Sequence, residues 1–369
     1  MNNSKLLIIA PMPPLRGGIP WHSHHLAKYL KSQQSLEVWS PKKLYPNWLY
    51  PGKNQFSNDP RQENYGASSA DRRLSQIRIL FRLLSISRHD FEAVLVPWWT
   101  SYFSVHTLVV ALIAKSKGVR TAIFCHNVYP HNGSALGRAL SRFVVRRFAH
   151  VFVQSQSEFE LLKSFYPKAR CRILSHPTYP SRREQATKLD RRDWTSGPIR
   201  VLFFGFLREY KGIDTLLAAS RLVNPEKFHF HFAGEPWSRT LENRIDAAAQ
   251  KYPNISCDLS YHSELRMLET FDSCDVVVLP YSQSTGSGAL ATAKGMGVPV
   301  IISDRIDPGP EFVEGRDGII FPVGDSPRLL SALQHFRENI SDFDQCWVAM
   351  DHDKEWGLIA VKIVEELGL

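Results

Sequence analysis

Arg208 and Lys211 stand three residues apart in the run Val201-Leu-Phe-Phe-Gly-Phe-Leu-Arg-Glu-Tyr-Lys-Gly-Ile-Asp214. An arginine grips phosphate oxygens with a planar fork, and a lysine adds a compact point charge. Together they suit a diphosphate, above all one that gains negative charge as a bond to it breaks. The elements around them give the pair a fixed place. Val201–Phe204 is an apolar run of strand type, and Gly205 stops it. Asp214 can cap the apolar-periodic run Thr215–Val223 as a helix. In an open α/β sheet the ligand crevice lies at the carboxyl end of such a strand. The competing reading is an ordinary loop with solvated charges.

A second anion site is legible where the run Val276–Leu279 ends in a small polar loop and a helix opens at Ser287–Gly288. A helix N-terminus offers unpaired N–H groups and about half a positive charge. Thr292, one turn further in, is placed to reach a ribose or sugar hydroxyl. Tight turning alone also explains Gly286 and Gly288. His126 follows Ala122–Cys125 at a strand end and opens the polar run to Asn132, with His131 as its runner-up. His22 and His25 share a helix face at metal-pair spacing, but no carboxylate or thiol lies nearby in sequence, which favours a place on the helix surface. Trp98 and Trp99 follow a strand and offer aromatic faces to a sugar or lipid acceptor; adjacent strand residues point to opposite sides, so one of them belongs to the core. The nearest approaches to an Asp-x-Asp metal motif are Asp304–Asp307 and Asp351–Asp353, neither on a strand end, so metal independence is expected.

Length and composition set the frame. The 369 residues suggest about two domains, and 43% hydrophobic content supplies substantial cores. No apolar run reaches the ~20 residues of a membrane span. Leu6–Ala10 reads as a first strand and not as a secretory signal. Five scattered cysteines fit reduced thiols in a cytoplasmic protein. Charge is uneven: residues 1–198 hold 29 Lys/Arg against 11 Asp/Glu, and the remainder 16 against 25, so a half of +18 joins one of −9. The basic half suits an anionic partner, and the lipid headgroups of a membrane's inner face and nucleic acid are both considered. The runs Arg72–Arg88 and Arg138–Arg147 mix arginines with apolar residues, as interfacial helices do and as core-facing helices with a solvated basic face do equally.

Strands and helices alternate along the first half: Leu6–Ala10, helix His22–Leu30, Ala93–Val96, helix Val105–Ala114, Thr121–Cys125, helix Gly137–Phe148, Val151–Val153, and a helix to Phe165 that Ser157 caps. A second alternation holds strands Val201–Phe204, Phe228–Ala233, Val276–Leu279 and Val300–Ile302. Pro41–Ser69 reads as a long excursion. The expected domains are 1–180 and 199–350, joined by a polar linker 181–198, with a C-terminal helix in 351–369 that packs back on the first.

The segments Gly205…Arg208-Glu-Tyr-Lys211-Gly and Gly288…Ala293-Lys-Gly-Met-Gly-Val-Pro-Val-Ile301 resemble the donor-binding domain of glycosyltransferases with GT-B architecture, in particular the large retaining group 1 family, GT4. The first half is similar in its opening strand, its Gly17-Gly18-Ile19 loop and the strand ending in His126-Asn127. The resemblance implies an α/β fold of two Rossmann-like domains facing a central cleft. It implies a nucleotide-diphosphate sugar held mainly by the second domain. Arg208 and Lys211 then neutralise the diphosphate, Gly17–Gly18 approaches the donor, Ser287–Gly288 supplies backbone donors, Glu235 approaches the base, and His126 contacts the transferred sugar. Two departures stand out. Ser284 and Thr292 occupy positions where many relatives carry glutamates assigned to donor sugar and ribose, and Phe206 follows the strand-ending glycine where many carry arginine.

The reading is a retaining glycosyltransferase that moves a sugar to a hydroxyl of a glycan acceptor, expected to be lipid-linked, in polysaccharide or glycolipid synthesis. No cofactor is implied, the donor being a co-substrate. The enzyme is expected at the inner face of a membrane. A catalytically silent GT-B scaffold is the alternative, motivated by Ser284 and Thr292. A nucleic-acid binder lacks any matching motif, and an epimerase of similar fold ranks last.

Overall fold

A computed structural model describes residues 5–46, 54–57, 71–130, 134–179, 197–283, 286–347 and 351–369. His131, Ser284 and most of the expected linker lie outside the described residues. The chain divides into two compact units, one of residues 1–176 with 353–369, the other of 177–352.

Unit 1 is built on a seven-stranded sheet. Its strands are β1 (Lys5–Ile9), β2 (Ser35–Pro41), β3 (Asp71–Leu74), β4 (Ala93–Trp98), β5 (Arg120–Cys125), β6 (His150–Val153) and β7 (Arg170–Ile173). They lie in the order β3-β2-β1-β4-β5-β6-β7, and every pairing is parallel. Helices Gly18–Gln33, Gln76–Leu84, Ser104–Ser116, Ala135–Val145 and Gln156–Phe165 alternate with the strands. Such a sheet is covered on both faces, which is why β1, β4 and β5 read as continuous apolar runs.

Unit 2 repeats the plan with six parallel strands: β8 (Ile199–Phe204), β9 (Phe228–Ala233), β10 (Ile255–Asp258), β11 (Val276–Leu279), β12 (Val300–Ser303) and β13 (Gly318–Phe321). Their order is β10-β9-β8-β11-β12-β13. The order reverses between β8 and β11, which pair through Val201↔Val276 and Leu202↔Val277. A doubly wound sheet binds its ligand outside the carboxyl ends at such a switch point. The loops carrying Arg208–Lys211 and Ser282–Ser287 leave those two strands.

Several local expectations need correction. Arg72 and Arg73 lie on β3, not on a helix; Arg72 is drawn to the sheet edge by Glu37 of β2, whose carboxylate it meets at 3.0 Å. The helix begins only after Ser75, whose hydroxyl accepts from Arg78 N. Ser155, and not Ser157, caps the helix Gln156–Phe165. Gly212 and not Asp214 precedes the helix Ile213–Ser220; its left-handed backbone (φ 72°) ends a 3-10 turn over Glu209–Lys211 and redirects the chain. His22 and His25 are buried and not on the helix surface. The helix His352–Leu367, distant in sequence, covers them: its Trp356 indole lies 5.0 Å from the His22 ring and stacks on His25 and Tyr29.

Candidate active site

In unit 2 the loop after β8 is held by backbone on two sides. Leu207 N donates to Glu235 O and Trp237 N to Leu207 O, so it runs beside the loop after β9. Ser282 N and Oγ both donate to Tyr210 O, at 2.7 and 3.0 Å, which ties it to the loop after β11. The fit is close: a Cβ on Gly212 would sit 1.8 Å from Pro280 O, and one on Gly205 would meet the Lys211 Nζ at 2.9 Å.

The two cations lean on aromatic faces. The Arg208 guanidinium lies 4.0 Å from the centre of the Trp237 ring, and the Lys211 ammonium 5.2 Å from that of Tyr281. Arg208 Nε is buried without a hydrogen-bond partner among the described residues. Burial, and then the neighbouring Arg208, push the Lys211 ammonium down to about 7. A cation held at such a cost is poised for an anion that would repay its desolvation.

Tyr281 joins the two anion sites that the sequence suggested separately. Its ring receives Lys211, and its hydroxyl is hydrogen-bonded to the Ser287 side chain. Ser287 caps the helix Gly288–Met296 by accepting from Leu290 N at 3.2 Å. Arg208, Lys211 and that helix start therefore belong to one locale at the switch point of unit 2. Gly288 leaves its surroundings open, since among the described residues an added Cβ would meet only the Tyr179 ring, at 3.9 Å. Glu235 is buried beside this locale at the end of β9. Thr292 is buried and its hydroxyl donates back to Gly288 O at 2.8 Å, so towards a ligand it keeps only acceptor capacity. Deeper in the same helix Lys294 is buried and bonded to Glu311 Oε1 at 2.6 Å, fastening the Asp307–Glu311 loop. Tyr281 and Trp237 are the supporting residues that sequence reasoning missed. Only their position next to apolar strand ends could have signalled them.

Unit 1 holds the remaining expected residues. Gly17 (φ 116°) starts the helix Gly18–Gln33 without a side-chain cap, and among the described residues a Cβ on Gly18 would meet nothing within 4 Å. The preceding loop is held by Ser57 N donating to Pro14 O and Arg16 N to Gln55 O. His126 is buried at the end of β5, hydrogen-bonded to Gln154, with its ring edge-on to His22 at 4.6 Å. Burial, and then His176, hold its imidazole down to about 3, so it acts as a neutral donor or acceptor and not as a cation. Trp98 is a core residue, 1% exposed, with its indole N–H directed at Val128 O. Trp99 is half-buried against Phe103 and lines a cavity of about 40 Å³ with Leu44, Gln76, His106 and Thr107. Of the tryptophan pair, Trp98 is thus the core residue and Trp99 the partly exposed one.

Residues 17–176 match the family described as glycosyl transferase 4-like domain, and residues 198–339 the family described as glycosyl transferases group 1. Over 160 residues the chain is 31% identical to a GDP-mannose:glycolipid 4-beta-D-mannosyltransferase of Xanthomonas campestris pv. campestris. The match takes in 37% of this chain and 46% of the relative, so it spans about half of that protein's length. Among solved structures, sucrose-phosphate synthase from Thermosynechococcus elongatus is similar with a TM-score of 0.69 at 14% identity, covering 99% of both chains. Anabaena HepE in complex with UDP and glucose is similar with a TM-score of 0.68 at 13% identity, covering 99% of this chain and 97% of that one. These two likenesses show the GT-B fold. With both of its units matched in order, the chain belongs to the group 1 glycosyltransferases, in which a 4-like domain precedes a group 1 domain.

Proposed function

We propose that the protein transfers mannose from GDP-mannose to a hydroxyl of a lipid-linked glycan. The observation that carries this reading is the convergence of Arg208, Lys211 and the Ser287-capped helix start around Tyr281. As the bond between the anomeric carbon and the phosphate oxygen breaks, the leaving diphosphate gains negative charge. Fixed cations and N–H groups aimed at that charge lower the barrier, one such donor by about 3 kcal/mol. Glu235 lies by the nucleoside, and the Thr292 oxygen accepts from a donor hydroxyl. On unit 1, the bare backbone at Gly17–Gly18 leaves room for a ligand, and His126, neutral, hydrogen-bonds the sugar. Trp99 and its cavity take part of the acceptor, with His131 contributing. The cations do the work of a metal, so none is needed. The choice of donor and of a glycolipid acceptor rests on the activity named for the Xanthomonas relative.

A silent scaffold is the second reading, favoured by the Thr292 hydroxyl being bonded into its own helix. One set of assays separates the two. GDP-mannose, within a panel of UDP-, GDP- and ADP-sugars, should raise the melting temperature; saturation at a hundred times Kd corresponds to about 2.7 kcal/mol. Lys211→Ala should abolish most of that shift and cut transfer by about 100-fold. Transfer should persist in excess chelator. An unchanged shift in Lys211→Ala would remove the diphosphate from this loop, and donor binding without turnover would favour the scaffold. The one-bond carbon–proton coupling at the product's anomeric centre reports its configuration. From an α-linked donor, retention, which the family resemblance implies, gives an α product; the β linkage named for the relative would mean inversion.

A further inference from the structure

We propose that three adjoining helices of unit 1 form a docking surface for an anionic lipid bilayer. The helix Ser104–Ser116 touches both Gln76–Leu84 and Ala135–Val145, so the three make a continuous face. Each already satisfies the core: Ile79 and Leu83, then Val110, Ala111 and Ala114, then Val144 and Val145, are buried. An ordinary surface helix is polar on its other side. These carry a second apolar stripe outward. Ile77, Phe81 and Leu84 are 66%, 68% and 51% exposed, and Leu136, Leu140 and Phe143 are 69%, 37% and 46% exposed, both sets at i, i+4, i+7 spacing. Val105 and Leu112 continue the stripe on the middle helix at 75% and 49%.

Charge identifies the occupant. The three helices hold no aspartate or glutamate, while Arg78, Lys115, Arg138 and Arg142 stand exposed among the apolar side chains. Nine of the fourteen large hydrophobic residues exposed among the described residues lie on this face or on the turn that leads into it, so the concentration is local and not general. Apolar residues that enter the headgroup layer, ringed by cations that pair with lipid phosphates, are the chemistry of an interfacial surface. A second copy of the chain would bring like charges together. Nucleic acid would use the arginines and leave the aliphatic stripes in water. Among the described residues no helix is long and apolar enough to cross a membrane, so the contact is with the surface layer.

This docking does not depend on the transfer reaction, and the test keeps the two apart. The full chain is floated with vesicles of one part phosphatidylglycerol to three of phosphatidylcholine, and with phosphatidylcholine alone. The anionic vesicles should carry the protein, with partition about tenfold or more higher than to the neutral ones. Phe81→Ser combined with Val105→Ser and Leu136→Ser should abolish flotation, and Arg78→Gln with Arg138→Gln should reduce it and remove most of its salt dependence. These variants should keep the wild-type melting temperature and donor-induced shift. The single Phe81→Ser protein serves if the triple variant does not fold. Lys211→Ala should float like the wild type. Wild-type protein that stays soluble, or serine variants that float with it, overturn the proposal. So does a dimer in sedimentation that the serine changes abolish, or retention on duplex DNA without flotation.

Discussion

In the free protein Lys211 would be protonated only up to about pH 7, because burial and the nearby Arg208 disfavour its charge. The unfolded chain keeps this proton to the ordinary lysine value near 10.5. Between those limits the folded, ligand-free protein binds fewer protons, so this group makes stability rise with pH across that window. A diphosphate beside the ammonium restores the proton, and donor binding is therefore coupled to proton uptake. Affinity should be fully present below about pH 7 and fall by up to about tenfold per unit above it. Calorimetry at pH 8 in buffers of different ionisation enthalpy should show uptake of part of a proton, absent in Lys211→Ala; equal enthalpies in all buffers would contradict the assignment. This pair was legible in the sequence because charge type and loop length suffice to place it. Its aromatic supports were not. Tyr281 reaches Lys211 only because β11 lies beside β8 in a register no local pattern encodes. His22 and His25 were misread for a similar reason, since the side chain that buries them is Trp356.

At the scale of elements, the glycine between the turn Glu209–Lys211 and its helix decides whether the two loops of unit 2 can meet. Gly212 has a left-handed backbone, and an added Cβ would penetrate Pro280 O. Gly212→Ala should destabilise unit 2 by about 3 kcal/mol or more, since strain and a backbone clash add. It should weaken donor binding too, because the loops would part. Gly18→Ala, with open space around its Cβ, should leave stability unchanged. Denaturant titration of the two variants checks both statements. The elements themselves were readable where burial on both faces makes a strand wholly apolar, as in Val276–Leu279, which the structure reproduces to the residue. They were not where a strand lies at a sheet edge. β3 carries Arg72 and Arg73, and β7 carries Arg170 and Arg172, because an edge leaves room for charge that a central strand would exclude. The helix start at Ser287–Gly288 was legible from the small polar loop that follows an apolar strand end, whereas Gly212 displaced Asp214 through backbone geometry alone.

For the molecule as a whole, the two-sheet α/β plan was clear from alternation, while the membership of its last helix is a matter of packing. Trp356, Ile359, Ala360, Ile363 and Leu367 of that helix are buried within unit 1. Trp356 packs on His22, whose ring meets that of His126, and both imidazoles are kept neutral chiefly by burial, the latter down to about 3. The unfolded chain protonates these rings near 6.5, so it binds more protons than the folded one as pH falls. Their contribution is intact above about 6.5 and declines as pH falls below it, for His126 down to about 3, by at most ~1.4 kcal/mol per unit and ring. The melting temperature of unit 1 should drop through that range, and His22→Phe, where it folds, should flatten the drop; a profile unaltered by the change would refute the account. Discontinuity also imposes an order on biosynthesis. Residues 353–369 leave the ribosome after all of 177–352, so the first unit to be started is the second to be completed. Until then the seat of that helix, lined by His22 and His25, is without the indole that covers it in the folded unit.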